Sequence, residues 1–216
     1  MKKATGWNYL ILAMLAFAGL GLEVLLAFVL EPVIYQAPMQ SWTDAQNISH
    51  WIITCAAWGL TDWGIIRFAR VRYGYDLFER KDKPAAWQWI VAAALMVAGL
   101  AYSLWDWQGM KVVREFEANG PLKFVFQYIY YCFETVLVLL IIVFGQEAFE
   151  QWLPEKRIPY GGMLAAATWG TAHFFTKGSS TGIGIMISAL AYGCVYLLVN
   201  RDVRRAYPVI WVMFVL

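Results

Sequence analysis

Charge is scarce in this chain. Of its 216 residues only 15% are Asp, Glu, Lys or Arg, against about 25% in ordinary soluble domains, while 61% are hydrophobic. A soluble core of this size could not hide so much apolar surface, so lipid is the expected solvent. Cysteine is equally sparse. Cys55, Cys132 and Cys194 each sit inside an apolar stretch, and no two form a CxxC pair, which leaves small core residues as their reading. There is no long basic run, and a net charge of +2 gives nucleic acid nothing to bind. Repeats and low-complexity linkers are missing too, so residues 1–216 read as one transmembrane domain.

What is present is a series of apolar segments. A spanning helix needs roughly 20 mostly apolar residues. Six segments meet or approach that length: about 7–30, 48–68, 85–105, 122–145, 160–176 and 181–199. The predicted fold class is therefore all-α, a polytopic transmembrane helix bundle of six spans plus a short C-terminal hydrophobic segment. The first segment is too long for the roughly 7–15-residue core of a signal peptide and reads as a retained span. Pro32, Pro84, Pro121, Pro159 and Pro208 lie at or near segment ends, where proline punctuates helices. The tail 207–216 is half a span: either the chain continues past Leu216 or a half-helix closes the bundle. With the amino terminus inside, thirteen Lys and Arg residues fall inside, including Lys2, Lys3, Arg67, Arg70, Arg72, Arg201, Arg204 and Arg205. Only Lys111, Arg114, Lys123 and Lys177 fall outside. The expected location is a cell membrane, multi-pass, with the amino terminus cytoplasmic. Many of the 12 Trp lie at predicted span ends and read as an interface belt. The charged connection 70–84 reads as a solvated loop suited to anionic lipid.

Ionisable residues inside a membrane each need a reason, because they cost roughly 2.5–3.5 kcal/mol on insertion. Glu23 and Asp62 are expected to make structural ion pairs or interhelical hydrogen bonds, Asp62 either with Arg67 or with a neighbouring helix. Glu134, beside Tyr130, Tyr131 and Cys132, reads as a buried hydrogen-bonded acid or a catalytic one. The run Gly145-Gln146-Glu147-Ala148-Phe149-Glu150-Gln151-Trp152 continues the fourth segment without a breaker until Pro154. Helical spacing puts Glu147, Glu150 and Gln151 on one face. Paired carboxylates one turn apart supply a general base and a partner for its proton; the plainer reading is a solvated helix end. His173 ends Trp169-Gly170-Thr171-Ala172-His173 on the fifth segment. There Gly162, Ala166 and Gly170 form a small-residue stripe that lets another helix approach closely, and Ser180, Gly184 and Ser188 form a second stripe on the sixth.

From Gly145 onward, over residues 145–216, the chain resembles the CPBP intramembrane protease family, which includes the type II CAAX prenyl endopeptidases. That family carries Glu-Glu-x-x-x-Arg, then Phe-x-x-x-His, then a final His-x-x-x-Asn or -Asp. Gln146-Glu147 to Gln151 stands at the first motif and Trp169 to His173 at the second; Trp211 to Leu216 offers no third. The resemblance implies that Glu147 and His173, with Glu150 in support, activate a water against a peptide bond within the bilayer. No metal is implied, since catalytic zinc uses three protein ligands, and no cofactor. The implied substrate is a peptide or prenylated peptide. The alternative is a catalytically inactive relative that binds a partner membrane protein or a lipid. A carrier relaying protons through Glu23, Asp62 and Glu134 is a third reading, disfavoured by the lack of an inverted repeat.

Overall fold

The computed structural model describes residues 4–216; Lys2 and Lys3, used above for orientation, lie outside them. The described residues are all helical, with no strand, and form seven helices. These are α1 (Gly6–Tyr35), α2 (Asp44–Tyr73), α3 (Ala86–Asp106), α4 (Lys111–Trp152), α5 (residues 160–177), α6 (Ser179–Leu198) and α7 (Val203–Val215). Four of them, α1, α3, α4 and α6, are long and apolar enough to cross a membrane. Helix α2 is as long as α1 but carries His50, Asp62, Arg67, Arg70 and Arg72. Helix α5 is interrupted by a π-turn at Ala166–Gly170.

The helices alternate in direction. At one end, Gly6 of α1 touches Trp152 of α4, Gln88 of α3 bonds the Leu198 carbonyl of α6, and Arg201 meets Glu150. Arg67, Arg70 and Arg72 share this basic end. At the opposite end Glu31 of α1 pairs with His50 of α2 (2.5 Å), and Lys123 of α4 with Asp44 (2.8 Å). Helix α4 is the axis. Its residues 137–144 are buried on every side, the pattern of a helix apolar all round. Helix α3, by contrast, buries only Ala92.

Caps and breakers set the ends. Thr5 and Thr43 each form a capping box at the start of α1 and α2, and Gly74 closes α2 in the left-handed conformation. Gly120 (φ +68°) and Pro121 break α4. Before the break the chain doubles back. The Tyr131 hydroxyl donates to Glu115 at 2.6 Å, and Asn119 donates to Gln127 at 2.7 Å. A straight helix would hold the first pair about 24 Å apart at its 1.5 Å rise per residue. The segment read above as part of an outside loop is thus a packed helical turn with Glu115 buried.

One expectation about a single residue changes. Arg67 lies over the Trp63 ring (5.5 Å) and forms no ion pair with Asp62, whose Oδ1 is buried without a hydrogen-bond partner. The small residues of α6 serve two neighbours. A Cβ on Gly182 would lie 2.3 Å from Phe174 and one on Gly193 would lie 2.6 Å from Gly162, whereas Gly184 faces Tyr102 of α3. The α5 stripe of Gly162 and Gly170 is in contact as its spacing predicts, against Ala189 with Gly193 and against Met186.

Between α1 and α2, the fully buried Trp58 donates its indole N–H to the Gly19 carbonyl at 2.8 Å. Trp58→Phe removes that donor and leaves a small void. Thermal unfolding in detergent should show a loss of about 1–3 kcal/mol.

Candidate functional site

The acidic run at the basic end of α4 is divided between two neighbours. Glu150 Oε1 accepts from Arg201 Nη2 (2.6 Å) and from Gln146 Nε2 (2.6 Å), and Arg201 also donates to the Lys156 carbonyl at 2.9 Å. Glu147 turns towards the α2–α3 loop and accepts from the Tyr75 hydroxyl at 3.3 Å. Burial holds the Tyr75 phenol well above its ordinary pKa, so it remains a donor. Gln151 is exposed.

Gln146 closes this arrangement. Its Oε1 accepts the Gly161 amide (3.0 Å), one of the free N–H groups at the start of α5, and its Nε2 donates to the Ile158 carbonyl (3.0 Å) as well as to Glu150. An amide can accept on one side and donate on the other. An ionised carboxylate at this position would face Glu150 and a carbonyl with nothing to donate. Gln146→Glu should therefore cost about 2–3 kcal/mol, read as a fall in melting temperature.

His173 is elsewhere. Twelve residues of α5 separate it from Gly161, which is about 18 Å along the axis. The structure does not bring Glu147 or Glu150 together with His173. What it places beside His173 is Trp169, which also holds Glu134. The Trp169 indole N–H donates to Glu134 Oε1 at 3.1 Å, and the Trp169 and His173 rings meet edge to face with centroids 5.1 Å apart. The Trp169 carbonyl accepts from His173 Nδ1 at 2.9 Å. Because a carbonyl only accepts, that nitrogen carries the proton, and Nε2 of the neutral ring is left with a free lone pair. The π-turn at Ala166–Gly170 lies one turn before His173, and Thr171 Oγ1 closes onto the Ala166 carbonyl at 3.2 Å. Phe214 of α7 stacks on Trp169 at 5.7 Å. Glu23 of α1 is within electrostatic range of both Glu134 and His173, and Lys111 and Lys177 are the cations that act on Glu134.

Glu134 is thus a buried, hydrogen-bonded acid, one of the two readings its sequence context offered, and its partner on α5 is Trp169. A signal for it existed. In an antiparallel helical hairpin, residues equidistant from the turn face each other. Gln146 meets Gly161, and twelve residues further from the turn on each helix stand Glu134 and His173. Among the described residues no group of three or more His, Cys, Asp or Glu side chains could hold a metal ion. Compared with family models, curated proteins and solved structures, the chain matches none.

Proposed function

We propose that the chain is a CPBP-like integral membrane protein in which Glu134 and His173, rather than Glu147 and His173, activate a water for hydrolysis of a peptide bond. In this reading six helices cross the bilayer, α7 packs beside them, and the basic end faces the cytoplasm together with the amino terminus. The excess of Lys and Arg at that end supports the orientation. The single observation that carries the site is Trp169, which binds Glu134 through its indole N–H and His173 through its carbonyl.

The chemistry follows from what each group can accept. His173 Nε2 and the Glu134 carboxylate both take hydrogen bonds, so a water between them offers one O–H to each. As the water oxygen attacks the peptide carbon, Glu134 takes its proton. It then passes that proton to the leaving nitrogen as the C–N bond breaks. His173 orients the attacking oxygen. The substrate is a peptide or a prenylated peptide entering from the lipid.

A second reading, an inactive relative that binds a membrane partner, is favoured by one feature. Gln146, Glu150 and Arg201 are all spent on tying helices together. Cleavage of peptide and prenylpeptide by the purified chain in liposomes separates the two. Equal product from the wild type and Glu134→Gln would leave the second reading.

A further inference from the structure

We infer that the basic end carries a binding site for the phosphate headgroup of an anionic phospholipid, built between the α2–α3 loop and the start of α7. A cleft of about 460 Å³ is lined there by Arg80, Lys81 and Lys83 from the loop and by Asp202, Arg204 and Arg205 from α7. Five of the six side chains are cationic. The sixth, Asp202, is buried and organises the others. It accepts from Arg204 Nε (3.0 Å) and Nη2 (2.7 Å), and Arg205 Nη1 lies 3.6 Å from it. The hydrogen bonds from Arg204 hold the Asp202 carboxyl below its ordinary pKa, so it stays ionised and keeps both guanidinium groups in place. Arg205 is further pinned by the Asp82 carbonyl at 2.6 Å. Lys81 is shared with Glu79, while Arg80 and Lys83 have no ion-pair partner among the described residues. Two fixed guanidinium groups and two uncommitted cations on facing walls make a receptor for an oxyanion.

The surroundings select a lipid over a free anion. Lys83 leads through Pro84 straight into α3, the helix that buries least of its surface. Trp87, Ile90, Val91 and Val97 of that helix are exposed, so an apolar track runs away from the cleft along the helix axis. A headgroup phosphate in the cleft would lay its acyl chains along this track, with Trp87 at the headgroup level. This site is independent of the Glu134–His173 reading and lies at the other end of the bundle.

Loss of helical circular dichroism gives the readout, because the described residues are mostly helical and contain no strand. The full chain, delipidated in an uncharged detergent, is melted with added phosphatidylglycerol, with phosphatidylcholine of the same chains, or with inorganic phosphate. Phosphatidylglycerol should raise the melting temperature by about 5 °C over phosphatidylcholine. The double variant Arg80→Gln/Lys83→Gln, in two exposed side chains, should melt as the wild type does in phosphatidylcholine and lose the phosphatidylglycerol increment. Three results overturn the site: equal shifts from the two lipids, an increment that survives in the double variant, or inorganic phosphate matching phosphatidylglycerol.

Discussion

Glu134→Gln is expected to lower peptide cleavage in proteoliposomes by about 10²–10³-fold, and His173→Ala by a similar factor, while Glu147→Gln stays within about two-fold of wild type. The contrast rests on where the carboxylates are held. Glu134 is buried against the Trp169 indole, whose other contacts hold the His173 ring. Glu147 is bonded to Tyr75 at the basic end and has no imidazole within reach. Glutamine at 134 keeps the shape and still accepts from the Trp169 N–H, but it cannot take a proton from water. Folding should therefore be retained, and a melting curve like that of the wild type is the control. A cleavage rate that falls for Glu147→Gln and not for Glu134→Gln would return the acid to the basic end and sink the assignment.

In the acidic run the sequence shows i, i+4 spacing but not what lies across from it. Glu147, Glu150 and Gln146 share a turn of α4, and each is claimed by a different element. Tyr75 takes Glu147 from a loop about seventy residues upstream, and Arg201 takes Glu150 from about fifty residues downstream. Neither partner is marked by any local pattern. Apolar runs and flanking prolines marked an all-helical chain, but only α1, α3, α4 and α6 are long and apolar enough to cross a membrane, not six segments. Hydropathy was not enough for the segment before Gly120. There a buried Glu115 is made tolerable by three donors, Gln127, Tyr128 and Tyr131, which become visible only once the chain has turned back at Pro121. The partner of each small-residue face of α6 was not legible either. Small residues occur on two sides of that helix, and composition alone cannot say which side meets α5 and which meets α3.

Gly161→Ala should be the most damaging small substitution in the bundle, at about 3 kcal/mol or more of stability, whereas Gly21→Ala and Gly64→Ala should gain about 0.5–1 kcal/mol. All three are helical glycines, so the backbone term alone favours alanine at each. At Gly161 an added Cβ would stand 1.9 Å from the Ile142 carbonyl oxygen and 2.7 Å from its carbon. Both atoms are main chain of the most tightly buried stretch of α4 and cannot rotate aside. At Gly21 and Gly64 a Cβ meets nothing within 4 Å. Melting temperatures in detergent, compared across the three variants, read the sign directly. The close approach of α4 and α5 at Gly145 and Gly161 also sets the register of the hairpin. Forcing the helices apart there would loosen the Gln146 bond to the Gly161 amide. The same strain, carried twelve residues along both helices, would separate Glu134 from Trp169. Gly161→Ala should therefore lose stability and cleavage together, whereas Glu134→Gln loses cleavage alone. A Gly161→Ala protein that melts like the wild type would mean that the two helices do not pack backbone to backbone, and the proposed pairing of Glu134 with His173 through Trp169 would lose its geometric basis.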